Sequence, residues 1–204
     1  MAPAHSNIHI NPSAISWICE GTVDTSVRPF HRSLPEYSAT PLRSLDFSAR
    51  ELGIGKLLLK DESCRLGLPA FKILGASWGS FRAIAQHIGL PPSSSLSDVV
   101  AGAQREQLQL TTATDGNHGR AVARMAKIFG IKATVFVPNW LDESSRSIIA
   151  SEGAVVVVAD GDYDLAVQSA FKYANQTPQV LLVQDTSFQG YEEIPWVAQL
   201  LLDS

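Results

Sequence analysis

Residues 108–184 read LQLTTATDGNHGRAVARMAKIFGIKATVFVPNWLDESSRSIIASEGAVVVVADGDYDLAVQSAFKYANQTPQVLLVQ. Four short apolar runs, at 108–112, 133–137, 154–159 and 180–184, alternate with three longer segments of helical spacing, about 119–129, 142–151 and 163–175. The order is β-α-β-α-β-α-β. The runs are continuous rather than alternating, as required of strands covered by helices on both faces. The pattern therefore predicts an α/β fold with an open, doubly wound, mostly parallel sheet. Such sheets bind ligands beyond the carboxyl ends of their strands, which directs attention to the loops after 108–112 and 180–184. Each loop holds an aspartate, Asp115 and Asp185.

Upstream, Phe71, Leu74, Trp78, Phe81, Ala85 and Ile88 recur at helical spacing until Gly89 and the Pro91-Pro92 pair stop the helix. Residues 56–60 (KLLLK) read as a short buried strand, and 42–52 as a helix closed by Gly53. The serine-rich stretch 91–107 is expected to be a surface excursion with one short helix. Pro29, Pro35 and Pro41 predict an extended amino-terminal segment over 1–41 that wraps a core, leaving 42–204 as the α/β domain.

With 204 residues, 45% hydrophobic and 18% charged, the chain falls in the globular class and outside the disordered one. A net charge of -4, with its basic residues scattered singly, argues against a nucleic-acid partner. The longest strictly apolar run, 154–159, is too short to span a bilayer. Cys19 and Cys64 lie far apart without C-x-x-C or histidine spacing, so neither a disulfide framework nor a metal site is expected, and a reducing compartment fits. Residues 1–11 lack the basic and apolar regions of a secretory signal, which predicts a cytoplasmic protein.

Three segments hold residues able to do chemistry. In KDES (60–63) followed by LPAFKILG (68–75), Lys72 falls in the first turn of a helix, where the dipole disfavours a cation. Burial there would depress its ammonium pKa and make a nucleophile suited to a carbonyl cofactor; otherwise Lys72 is a solvated surface lysine. In TTATDGNHG (111–119), a strand turns into a helix. Gly116 and Gly119 allow close backbone approach, exposed amides favour an anion, and Asn117 can reach the edge of an aromatic ring. Read alone, Asp115 is a helix cap and His118 a hydrogen-bonded turn residue. The dinucleotide fingerprint is not met there, which leaves a nicotinamide enzyme an outside possibility. In VQDTSFQGYEEIP (183–195), Asp185 is either a second acid-base group or a strand-end cap.

Together these segments resemble diaminopropionate ammonia-lyases, within the fold type II pyridoxal-phosphate enzymes related to the tryptophan synthase β chain. The resemblance runs through RSLPEY (32–37), TPL (40–42), KDES, GLPAFKILG, ATDGNHGRAVA and VQDTSFQGYEEIP, and covers nearly the whole chain. It implies pyridoxal 5'-phosphate as cofactor, with Lys72 as the lysine that binds it covalently and shuttles protons. Asn117 then lies beside the cofactor's 3-oxygen, with Gly116, His118 and Gly119 in the same cofactor-binding loop. Asp115 and Asp185 match the two acid-base aspartates, and many relatives carry serine in place of Asp115. The implied reaction is α,β-elimination from 2,3-diaminopropionate to pyruvate and ammonia.

Members of that family run to roughly twice this length. The glycine-rich phosphate loop and the partner of the pyridine nitrogen are expected in a carboxyl-terminal half beyond Ser204, and no G-G-x-G element occurs among the fourteen glycines here. Two alternatives follow: a catalytically inactive truncated paralogue or interaction half-protein, and a serine/threonine dehydratase-like enzyme. The expected partners are a small amino-acid substrate and either a second copy of the chain or a completing chain, because an apolar helix face over 196–202 wants cover.

Overall fold

Strands β3 (Gln109–Ala113), β4 (Lys132–Val137), β5 (Val155–Val158) and β6 (Val180–Leu182) form a parallel sheet in the order β5-β4-β3-β6. The computed structural model describes residues 25–188, with Gly190, Tyr191 and the isolated Pro12 and Ser16. Thr111 stands opposite Thr134 on one side and Leu182 on the other, so β3 is the central rung. The chain steps outward from β3 to β4 and β5, then returns to the far side of β3 as β6. This reversal makes the carboxyl ends of β3 and β6 the switch point of the sheet, the place where two connections splay apart and leave a crevice.

Two cores flank the sheet. Leu110, Val135 and Val137 face the larger one, which is filled from α1 (Val27–Ser33), α3 (Lys72–His87), α4 (Leu96–Arg105), α5 (Asn117–Phe129) and α6 (Glu143–Ser151). Ala113 and Phe136 face the smaller one beneath α7 (Tyr163–Gln176). Coverage on both faces explains why the central strands read as unbroken apolar runs. The reading fails at β5, where Val155 is 63% exposed, because β5 is an edge strand and α7 packs chiefly over β3, β4 and β6. Gly130, in the left-handed region at φ 67°, ends α5 and turns the chain back into β4.

Four expectations upstream need correction. The segment expected to be extended contains helix α1, whose Phe30 ring lies 4.6 Å from Phe81 and 5.3 Å from Trp78. Pro29 is no obstacle, since a proline in a helix's first turn removes an N–H that has no intrahelical acceptor. The helix expected over 42–52 is instead strand β1 (Leu42–Ser44) followed by α2 (Asp46–Glu51). β1 pairs antiparallel with β2 (Leu58–Lys60), and all six residues of this ribbon are exposed, so the expected buried strand at 56–60 is a surface one. Finally, 91–107 is more than a surface excursion. Ser95 caps α4 by accepting from the Asp98 N–H at 3.1 Å, and Val99 and Ala103 are fully buried. The apolar face over 196–202 and residues 192–195 lie outside the described residues. Among the described residues, no helix is long and apolar enough to cross a membrane.

An ion cluster ties α5 to the end of α6. Glu152 is buried and accepts from Arg120 Nε at 3.0 Å and from Arg124 Nε at 2.6 Å. Burial works to raise the Glu152 pKa, but the hydrogen bonds and charges of the two guanidinium groups outweigh it and hold the carboxyl below its ordinary value. A depressed folded-state pKa contributes stability that is present above the unfolded value of about 4.3 and lost as pH falls through the folded value. Glu152→Gln should therefore flatten the acid side of the stability curve below about pH 4, measured as urea midpoint against pH. Gly119 gives a second test. A Cβ at this position would sit 2.3 Å from Thr114 Cγ2 and 2.8 Å from Val135 Cγ1. Gly119→Ala should cost about 1–3 kcal/mol by overpacking, read from the denaturation midpoint.

Candidate active site

Asp115 and Asp185 follow the carboxyl ends of β3 and β6 at the switch point of the sheet, and both line a cleft of about 620 Å3. Lys72, Thr114, Gly116, Asn117, His118 and Tyr163 help to line it. The loop after β3 is organised by a single hydroxyl. Thr114 Oγ1 accepts from the N–H of Gly116 at 2.9 Å and of Gly119 at 3.0 Å, which closes the turn and starts α5. Asp115 and Asn117 stay exposed at the rim, whereas His118 and Gly119 point inward. Gly119 packs against Thr114 and Val135 one layer below the cleft, so its role in the loop is close approach of α5 to the sheet.

Lys72 is the first residue of α3, and its Nζ donates to Asp185 Oδ2 at 2.5 Å. Its side chain is 41% exposed and paired with a carboxylate, so the buried amine considered from the sequence is not what the fold builds. Asp185 is the more enclosed partner, at 14% exposure. Burial acts to raise its pKa, but the hydrogen bond and the charge of the Lys72 ammonium help to keep it below the ordinary carboxylate value. His118 places Nε2 2.9 Å from the Val183 carbonyl oxygen and Nδ1 3.7 Å from Asp185 Oδ2. Burial pushes the imidazole pKa down, against the opposing pull of Asp185.

Two groups missed in the sequence hold the site together. Gln184 is fully buried; its Oε1 accepts from Thr112 Oγ1 and from the Ala113 N–H, both at 2.9 Å. Its Nε2 donates to the Tyr163 hydroxyl at 3.0 Å. A glutamine closing the apolar run 180–184 was itself a signal, because a buried amide must find partners. Tyr163 opens α7 just after an Asp162 cap and brings its hydroxyl to the cleft wall, within 3.5 Å of Thr186 Oγ1. Its signal was position alone, since the loops at the carboxyl ends of parallel strands converge. Burial raises the Tyr163 pKa, with Asp185 and Asp115 adding to the rise, so it stays a neutral phenol.

An amine carried at the mouth of a polar cleft, flanked by two carboxylates, a neutral imidazole and a phenol, can form a covalent bond to a carbonyl group and move protons beside it. These residues fit pyridoxal phosphate at its reactive end: Lys72 for the carbonyl carbon, Asn117 and the backbone of Gly116 for the ring edge.

The chain was compared with known proteins by family, sequence and fold. The chain is 39% identical over 187 residues to the diaminopropionate ammonia-lyase of Salmonella typhimurium, an alignment that spans 89% of this chain and 46% of that protein. The crystal structure of the Escherichia coli diaminopropionate ammonia lyase in apo form superposes with a TM-score of 0.78 at 35% identity, covering 85% of this chain and 48% of that one. The same enzyme in complex with D-serine gives a TM-score of 0.78 at 35% identity, over 85% and 45% of the two chains. The chain thus spans about half the length of the relatives it matches. Residues 34–195 match the family described as pyridoxal-phosphate dependent enzyme, and the chain, with its parallel sheet and its lysine at the cleft, belongs to that family.

Proposed function

We propose that this chain carries the amine and the acid-base groups of a lyase that eliminates ammonia from 2,3-diaminopropionate. The observation that carries the reading is the Lys72–Asp185 pair at 2.5 Å in a cleft that also receives Asp115. When bound, pyridoxal phosphate supplies an electron sink for the charge left when a proton leaves the substrate's Cα. Lys72 would supply the amine that holds the cofactor and, when free, a base for the Cα proton. To act as a nucleophile Lys72 must first lose a proton, and Asp185 Oδ2 is positioned to take it.

The elimination breaks two bonds. The Cα–H proton passes to a base, either Asp115 or the freed Lys72, and the Cβ–N bond breaks as the β-nitrogen, kept as its ammonium by a neighbouring acid, leaves as ammonia. Asp185, once protonated, is such an acid. The released 2-aminoacrylate hydrolyses to pyruvate and a second ammonia. Two carboxylates at the cleft also favour a substrate with a second ammonium group over serine or threonine, whose hydroxyl carries no charge. Tyr163, as a neutral phenol, is a hydrogen-bond donor for the substrate carboxylate.

Borohydride reduction of the purified chain with pyridoxal phosphate, followed by peptide mapping, is expected to place the label on Lys72 and to lose it in Lys72→Ala. Label spread evenly over other lysines would overturn the assignment. In ammonia-release assays with diaminopropionate, Asp115→Asn and Asp185→Asn should each lower the rate by about 10²–10⁴-fold. Retention of full rate by either variant would remove that aspartate from the scheme.

A further inference from the structure

His118 holds a hydrogen-bonding group that the scheme above does not use. A carbonyl oxygen only accepts, so the 2.9 Å contact with Val183 requires His118 Nε2 to carry its proton. Burial keeps the ring neutral near pH 7, which leaves Nδ1 with a bare lone pair. That nitrogen is fully buried and has no hydrogen-bond partner among the described residues. Opposite it, at 3.7 Å, is Asp185 Oδ2, the same oxygen that accepts from Lys72 Nζ at 2.5 Å. While Asp185 is ionised, two acceptors face each other. A proton on Oδ2 converts this mismatch into a donor–acceptor pair.

We propose that His118 is a positioning residue for the Lys72–Asp185 proton exchange: its Nδ1 accepts the Oδ2–H of Asp185 whenever Lys72 is withdrawn as the free amine. The inference rests on the reading of Lys72 as the reactive amine. The step balances within three groups: the ammonium of Lys72 loses one proton, the carboxylate of Asp185 gains it, and His118 neither gains nor loses one. The net charge of the triad stays at zero, which suits an enclosed site. The other charged group acting on the ring is Asp115 at the rim, and the nearby Tyr163 stays neutral. Asp185 is thereby held as an acid in the part of the cycle that needs one, and a negative charge is not left in the wall when the lysine departs.

The test needs no cofactor. Lys72→Met withdraws the ammonium permanently, and the Asp185 carboxyl can then be titrated by 13C NMR in the labelled chain. Its pKa should be higher than in the wild type, and lower by about one unit in Lys72→Met/His118→Leu than in Lys72→Met, a tenfold change in the acid constant. An apolar leucine would by desolvation alone push the carboxyl upward, so a fall is diagnostic, and an unchanged or higher value overturns the proposal. If the double variant fails to fold, 15N NMR of wild-type His118 decides instead. The proton should reside on Nε2, with none on Nδ1 near pH 7. A proton on Nδ1 would make His118 a donor to the Asp185 carboxylate and overturn the proposal. Loss of specific labelling at Lys72 would sink the lyase reading while leaving these titrations interpretable.

Discussion

The buried amide of Gln184 is the interaction on which the site depends. β6 ends its pairing with β3 at Leu182, and the Val183 N–H still reaches the Thr111 carbonyl at 2.9 Å. One step further, the Ala113 N–H has no rung of strand beside it and takes the Gln184 Oε1 instead. A side chain thus stands in for the backbone and satisfies a donor that would otherwise be stranded in the core. Because the ladder is completed by a side chain, the main chain is free to turn, and it carries Asp185 across the cleft. The same amide holds the Tyr163 hydroxyl through its Nε2, so β3, β6 and α7 meet at one group.

Charge is arranged around that frame in two ways. Between α5 and α6, Glu152 and its two arginines are matched so that each formal charge has close hydrogen bonds, and the cluster serves the packing of α5 on α6. At the cleft the matching is incomplete. Lys72 and Asp185 share one short contact, His118 offers an acceptor to an acceptor, and Asp115 stands exposed at the rim. A fold selected only for stability would bury fewer mismatched groups, since partly satisfied polar clusters cost free energy that complete ones do not. The contrast separates structural from reactive charge within one small domain.

Legibility in the sequence followed burial. β3 and β4 are covered on both faces, so their composition is dictated by packing and they read as apolar runs; both lie within a residue of where the runs place them. Gly53 and Gly89 mark chain reversals that need positive φ, and each was readable as a stop. The misses came where another force decides. Leu42–Ser44 is a strand because β2 pairs with it, a long-range fact that no local pattern carries. α4 builds its buried face partly from small residues, Gly102 and Ala103, which leave little hydrophobic signal, and Gly102 lets Ile88 approach closely. Lys72, Asp115 and Asp185 were visible as residue types at strand and helix ends. That Asp185 meets Lys72, and that Gln184 and His118 sit beneath them, depends on contacts across 65 to 113 residues of chain.

Thr114 ties two amides of its own turn, and Gly119 lets α5 settle onto β4 without a gap. The loop bearing Asp115, Asn117 and His118 is therefore shaped by contacts entirely within the protein. Its conformational entropy is surrendered during folding rather than on meeting a ligand. A molecule entering the cleft finds the rim groups already spaced, and its binding free energy is spent on contact rather than on organising the receptor.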